Sequence, residues 1–469
     1  MIQARTTAWC LWGCLATAAC STAPPNGASI YTDAGNLTSQ SPTGSVTNDA
    51  GLSLKPFTAP SDPGAGGVWV TISGEVNALT GYPFPPADWT NDTYMFDGWQ
   101  FQIYEFIVAV DKLTLWANPN QIPSDQSQHG PQVAHIDGPF IVDLHKGGTI
   151  LGQGGGAEQA TPIGSLTSQN DNGGAAFDPT TTYGFGFSTV QATYDAYNVN
   201  LTSDESADFA TMVQQGYSVM YVGVAQWMGN MSPYGCAQTH AGAGSAGVAE
   251  GEAGAVEGDG GANLDTYDDG GYDFSDMPPT MTFRLGFSTP TNYVNCQNMT
   301  LQGMPLAGED YPRGVQVSQS QSVFAQVTVH MDHPFWESFA ENTPVHWDQI
   351  AAQYVGLPGI PQATIEDMRG VPFNGFTDRT GTPLPWRNCS GAHYLPPGNG
   401  QMNFSTLSVP QNPNGTCTGS VGADYTMDVC PAIRDYYDYV RYTQSTQGHL
   451  NSQGLCFVDR RYPAPAGGS

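Results

Sequence analysis

Between Trp99 and Leu115 apolar and polar side chains alternate, and a period of two commits that stretch to β-structure. Trp99, Phe101 and Ile103 alternate with Gln100 and Gln102. The phase slips at Tyr104-Glu105 and resumes with Phe106, Val108 and Val110, followed by Leu113 and Leu115. Such a slip turns every later side chain to the opposite face, so a bulge or bend is expected there. Val68 to Ile72, Phe140 to His145, Tyr183 to Phe187, Tyr217 to Trp227, Thr280 to Phe287 and Val323 to Met331 read as further strands. Short strands parted by Gly, Pro, Asn and Asp predict a mainly β protein, an antiparallel β-sandwich over residues 67–335.

The pattern changes after His333. Pro334 opens a short helix, and Asn342-Thr343 with Pro344 cap and open a second. In the second, Trp347, Ile350, Ala351 and Tyr354 form one amphipathic stripe. A third helix is expected from Pro431 to about Gln447. Residues 336–469 thus read as a small helical, loop-rich, disulfide-stapled C-terminal region, with the possibility open that it continues the same unit. Within the sandwich, residues 241–276 are low-complexity and acidic. Asp259, Asn263 and Asp265 lack the alternate-residue spacing of an EF-hand calcium loop, so a solvated insertion is the reading preferred.

The N-terminus carries a sorting pattern. Arg5 precedes the uncharged apolar stretch Ala8 to Ala19, which is too short to span a bilayer as a helix, so residues 1–19 read as a cleaved signal. Thr17-Ala18-Ala19 before Cys20 resembles the lipobox of bacterial lipoproteins, although Thr17 stands where that family has Leu; Leu11-Trp12-Gly13-Cys14 is a second frame. The resemblance implies acylation of Cys20 and attachment to a membrane through lipid. Residues 20–66, rich in Ser, Thr, Pro, Gly and Asn, read as a flexible tether. The expected location is the outer membrane or cell surface, with a periplasmic or secreted protein as the alternative.

The other cysteines fit an oxidising compartment. Of nine, Cys10, Cys14 and Cys20 fall in the leader, leaving Cys236, Cys296, Cys389, Cys417, Cys430 and Cys456 as disulfide candidates. Sequence does not choose among their pairings. No Cys-x-x-Cys pair occurs, which argues against c-type haem, a zinc ribbon or a thioredoxin-type centre. Gly152 to Gly156 lacks the Lys-Ser/Thr of a nucleotide-binding loop. With 42 acidic against 13 basic residues the formal charge is −29, and such a surface repels nucleic acid.

One constellation carries candidate chemistry. Val323, Ala325, Val327, Val329 and Met331 share the apolar face of a strand, which leaves Thr328, His330 and Asp332 on the other. His333 follows, and His346 lies at the next helix start. His330, His333 and His346 are candidate ligands for copper or zinc, with Asp332 as ligand or orienting partner. Against this, Asp332 serves equally as a helix cap, His330 as a solvent-facing residue and His346 as a neighbour packed on Trp347. Asp143 and His145 read as a surface pair, and His129, His135, His240 and His449 as isolated residues. No Gly-x-Ser-x-Gly nucleophile motif occurs.

Asp97-Gly98-Trp99, Val142-Asp143-Leu144-His145-Lys146-Gly147-Gly148 and His330-Met331-Asp332-His333-Pro334-Phe335-Trp336 together resemble a family of large exported bacterial lipoproteins of no known activity. A fainter similarity is to surface copper-binding proteins of methane-oxidising bacteria, since Trp336 and Trp347 adjoin the histidines; their ligand spacing is not reproduced and no residue is carried over. Thr328-Val329-His330-Met331-Asp332-His333 matches part of the His-x-His-x-Asp-His motif of metallo-β-lactamase-type hydrolases, with Thr328 replacing the first ligand. The functional expectation is a lipid-anchored binding protein holding a transition metal. A metal-independent glycan- or protein-binding surface module is the first alternative, and a metallohydrolase the second.

Overall fold

The computed structural model describes residues 53–84, 94–154, 158–228, 272–336, 345–371, 377–384 and 435–461. The leader, Cys20, most of the tether and of the acidic insertion, the Asn342–Pro344 cap, and Cys236, Cys389, Cys417 and Cys430 lie outside them. All the described residues belong to one compact unit, 42–469.

The chain opens with β1 (Lys55–Pro56), β2 (Val68–Ser73), α1 (Glu75–Thr80) and the long β3 (Trp99–Ala117). Then come β4 (Gln132–Ile136), β5 (Phe140–Asp143), β6 (Ile150–Leu151), β7 (Gln159–Leu166), β8 (Thr182–Thr189) and β9 (Tyr197–Asn198). Helix α2 (Ser206–Gln215) leads to β10 (Val219–Trp227), β11 (Thr280–Phe287), β12 (Thr291–Val294), β13 (Val315–Gln316) and β14 (Val323–Val329). Finally α3 (Asp348–Ala351), β15 (Gln362–Ala363) and α4 (Tyr436–Gln444) precede β16 (Gly448–Leu450), β17 (Gly454–Leu455) and β18 (Phe457–Arg460).

The fold is mainly β, built on two sheets. One runs β1-β9-β5-β3-β10-β11-β15, with β4, β8, β12, β13 and β18 joined off that path; the other runs β17-β16-β14-β2-β7-β6. Most pairs are antiparallel. Both sheets are mixed, however, because β14 lies parallel to β2, and β9 parallel to β1 and β5. Alternation predicts a strand but carries no direction, so these parallel neighbours were not legible.

The phase slip is a bulge. Glu105 pairs with Val222 and Ile103 with Gly223, which leaves Tyr104 without an opposite residue. Trp99, Phe101, Ile103, Phe106, Val108 and Val110 therefore face one core, while Ile107 and Ala109 face a second core with Phe209 and Met212 of α2. Gly223 is required at this point, because a Cβ there would lie 2.3 Å from the Gln102 carbonyl oxygen.

The C-terminal segments enter both sheets: β16 pairs with β14, and β18 with β12. The Cys296–Cys456 disulfide fastens the C-terminal chain to the strand region rather than stapling the C-terminal region to itself. Trp347, Ile350, Ala351 and Tyr354 are all buried, as their stripe requires, over α3 and the 3-10 turn that follows it. The third helix occupies Tyr436–Gln444, with the Asp435 carboxylate accepting the Asp438 N–H as its cap.

Candidate metal centre

Strands β2 and β14 run side by side in register, Trp69 beside Phe324, Thr71 beside Gln326 and Ser73 beside Thr328. Because side chains alternate along a strand, these six lie on one face of the sheet. The next positions on that face are Glu75 and His330, and the register delivers them together: Glu75 Oε1 is 3.4 Å from His330 Nε2. This face is polar, yet Thr71, Gln326, Thr328 and His330 are buried.

Three histidines converge at the end of this polar file. His330 follows β14, His333 sits in the turn His333–Phe335, and His449 comes from β16, where it lies opposite Thr328. One ligand atom from each lies within 4.8 Å of the others. The His330 and His449 rings stack with centroids 4.0 Å apart, and each is 5.4 Å from the His333 ring. Trp336 covers His333 at 3.7 Å.

Hydrogen bonding sets the tautomers. The Thr446 hydroxyl donates its one proton to the Thr443 carbonyl at 2.7 Å, so at 2.7 Å from His333 Nδ1 it can only accept. His333 therefore carries its proton on Nδ1, and the lone pair is on Nε2, which is buried without a hydrogen-bond partner. His330 Nε2 faces two acceptors, the Ser452 carbonyl at 3.0 Å and Glu75 Oε1 at 3.4 Å, so Nε2 carries a proton and Nδ1 is the nitrogen that could ligate. Both ring nitrogens of His449 are buried without a hydrogen bond of ordinary geometry. Burial holds His333 and His449 well below the usual imidazole range, and the neighbouring His330 acts in the same direction. Backbone groups of Thr443 and Thr446 oppose this only weakly. His333 and His449 are thereby held as neutral imidazoles, the protonation state in which histidine ligates a metal.

Two carboxylates flank the three rings. Asp332 Oδ1 lies 3.9 Å from His333 Nε2, and Asp332 Oδ2 accepts from Trp336 Nε1 at 2.9 Å. Asp332 makes no side-chain cap to the turn that it precedes. Glu75 and Asp332 are the more exposed members, at 24% and 15%, against 7% for His330 and 0% for His333. Backbone strain gathers here as well: Glu75, Asn451 and Ser452 have φ of 63°, 49° and 73°. Left-handed conformations are uncommon outside glycine, and strained residues concentrate at functional sites.

His330 and His333 come together with Asp332 beside them, but His346 is not in the group. Val345 bridges both Trp336 and Met95, and this carries His346 to Asp97, with Nδ1 3.8 Å from Asp97 Oδ2. There Asp97 accepts the backbone N–H groups of Trp347 and Asp348, anchoring the start of α3. The third histidine of the group is His449, which sequence reasoning treated as isolated. Asp143 is no surface residue: it is fully buried, and its Oδ1 accepts from the backbone of Phe106 and His145.

Comparison with protein families, curated proteins and solved structures finds no match for this chain.

Proposed function

We propose that this chain is an exported, lipid-anchored protein that binds a transition-metal dication, copper or zinc, through His330, His333 and His449. The observation that carries the reading is the convergence of three buried imidazoles, two of them held neutral by burial, with Thr446 and Ser452 fixing a proton on His333 Nδ1 and His330 Nε2. Burying unpartnered ring nitrogens costs free energy that a coordinated metal would recover. Imidazole ligands suit copper and zinc, and hydroxyl and carbonyl acceptors that take the second N–H of a histidine orient its ring toward the metal. Asp332 and Glu75 supply negative charge to balance a dication. Export and the anchor are supported by the leader pattern before Cys20 and by the Cys296–Cys456 bond, which suits an oxidising compartment.

The test is metal content by mass spectrometry on the full chain made in an oxidising compartment without a histidine tag. About one equivalent per chain is expected. His333→Ala and His449→Ala should each lose it, while His346→Ala should keep it. Wild-type protein that stays empty with copper and zinc supplied would overturn the reading.

A further inference from the structure

Glu75 has no part in the ligand set, yet its backbone is held in a conformation that costs free energy. Its φ is 63° at the first residue of α1, where the Ser73 hydroxyl accepts its N–H at 2.9 Å. The preceding residue admits no side chain, since a Cβ on Gly74 would come within 2.6 Å of the Ala78 Cβ and 2.9 Å of the Leu144 Cβ. Sequence and packing thus combine to turn the chain sharply at the end of β2. The turn puts the Glu75 carboxylate against Nε2 of His330, the nitrogen that also donates to Ser452.

We propose that Glu75 is a positioning residue of the metal centre: its carboxylate shares the Nε2 proton of His330, holds Nδ1 toward the metal and strengthens it as a donor. This rests on the metal-binding reading above. A metal-bound histidine ordinarily passes its second N–H to a carboxylate or carbonyl, which fixes the ring and raises its basicity. Here Nε2 faces one of each, the Ser452 carbonyl at 3.0 Å and the Glu75 carboxylate at 3.4 Å. The carboxylate is the partner that can be changed without touching the backbone, and the strained φ is the conformation that delivers it.

The test uses the full chain with Cu(II) and Zn(II) as probes, and four proteins: wild type, Glu75→Gln, Glu75→Asp and Glu75→Gly. Glu75→Gln should still bind one equivalent, about 10- to 100-fold more weakly. Its Cu(II) paramagnetic-resonance parameters should shift while the number of coordinated nitrogens stays the same, and Glu75→Asp should recover part of the affinity. Glu75→Gly removes the backbone strain together with the carboxylate. Its metal-free form should therefore melt about 1–3 °C higher than wild type while its metal affinity falls. A residue that only supports the fold would move both quantities down together. If wild type binds metal and Glu75→Gln matches it in affinity and spectrum, the role given to Glu75 is wrong and the metal site stands. If wild type takes up neither probe, both fail.

Discussion

His333 Nδ1 donates to Thr446 Oγ1 at 2.7 Å, and this single contact puts the lone pair of His333 on Nε2. Thr446 can act this way because its own proton is committed to the Thr443 carbonyl at the end of α4. Thr446→Val keeps the shape of the side chain and removes the acceptor. We expect metal affinity to fall about 10- to 100-fold with only a small change in melting temperature. Competition titration against a chelator, beside a thermal melt of the metal-free protein, measures the two effects separately.

His449 reaches the site on a short segment between α4 and the Cys296–Cys456 bond. Upstream it is held by buried contacts: Tyr221 donates to Gln447 Oε1 at 2.6 Å and Tyr293 to the Ser445 carbonyl at 3.0 Å. Gly448 is pressed against the Tyr293 ring, where a Cβ would come within 2.5 Å. Downstream the disulfide closes a loop of sequence separation 160. In the chain-entropy account such a crosslink stabilises the folded state by about 5 kcal/mol. Cys456→Ser paired with Cys296→Ser should lower stability by up to that amount in denaturant titration. It should also weaken metal binding, because the segment carrying His449 loses its downstream anchor.

How much of this was legible depended on periodicity. Seven strand readings and the bulge at Tyr104-Glu105 follow from the apolar patterning, since a shift of one residue reverses every later side chain. The polar face of β14 was readable as a face, but not as a buried one. Polar residues on a strand ordinarily mean solvent, and only the packing of Glu158, Asn451 and Ser452 onto Gln326 and Thr328 reverses that. His449 lies on a three-residue strand, too short for any period to show, and pairing with β14 rather than sequence proximity brings it to His330. Glu75 left a usable signal. Trp69, Thr71, Ser73 and Glu75 repeat the aromatic-polar-polar pattern of Phe324, Gln326, Thr328 and His330, and pairing these two files side by side would have set the acid beside the histidine.

Gln326 links that face to the site. Fully buried, its Nε2 donates to Glu158 Oε1 at 2.6 Å and to Thr328 Oγ1 at 3.0 Å, while its Oε1 accepts the Gln153 N–H at 2.8 Å. Thr328 Oγ1 also accepts the Ser452 N–H at 2.9 Å, and the Ser452 carbonyl holds His330. Gln326→Leu strands Glu158 Oε1 and the Gln153 N–H without partners, although Glu158 Oε2 keeps the Gly154 N–H, and this costs about 3 kcal/mol. Denaturant unfolding should show a loss of that size. Metal affinity should fall as well, because the chain of hydrogen bonds ends on a ligand.

The pH dependence of the metal-free fold should have its maximum near neutrality, because two kinds of buried group pull in opposite directions. His333 and His449 are held well below 6.5 by burial, so below about that pH the unfolded chain binds protons that the native chain does not, and stability rises with pH. Glu105 acts in the other sense. At the bulge on β3, burial pushes its carboxyl from 4.5 to about 8, with Asp208, Asp143 and Glu205 adding repulsion and Arg284 opposing it. Between those two values the native chain keeps a proton that the unfolded chain has released, so this contribution is fully present below about 4.5 and is lost as pH rises through about 8. Above about 6.5 the contribution of His333 and His449 is flat and the Glu105 loss dominates, with the partly exposed His135, raised by its hydrogen bond to Asp171, adding a smaller loss in the same direction. The melting temperature in the presence of a chelator should therefore climb to about pH 6.5 to 7 and decline toward pH 8. Glu105→Gln should remove most of the decline and leave the acid limb in place. An unchanged decline in that variant would mean that Glu105 is ionised in the native protein at neutral pH, with Arg284 outweighing its burial.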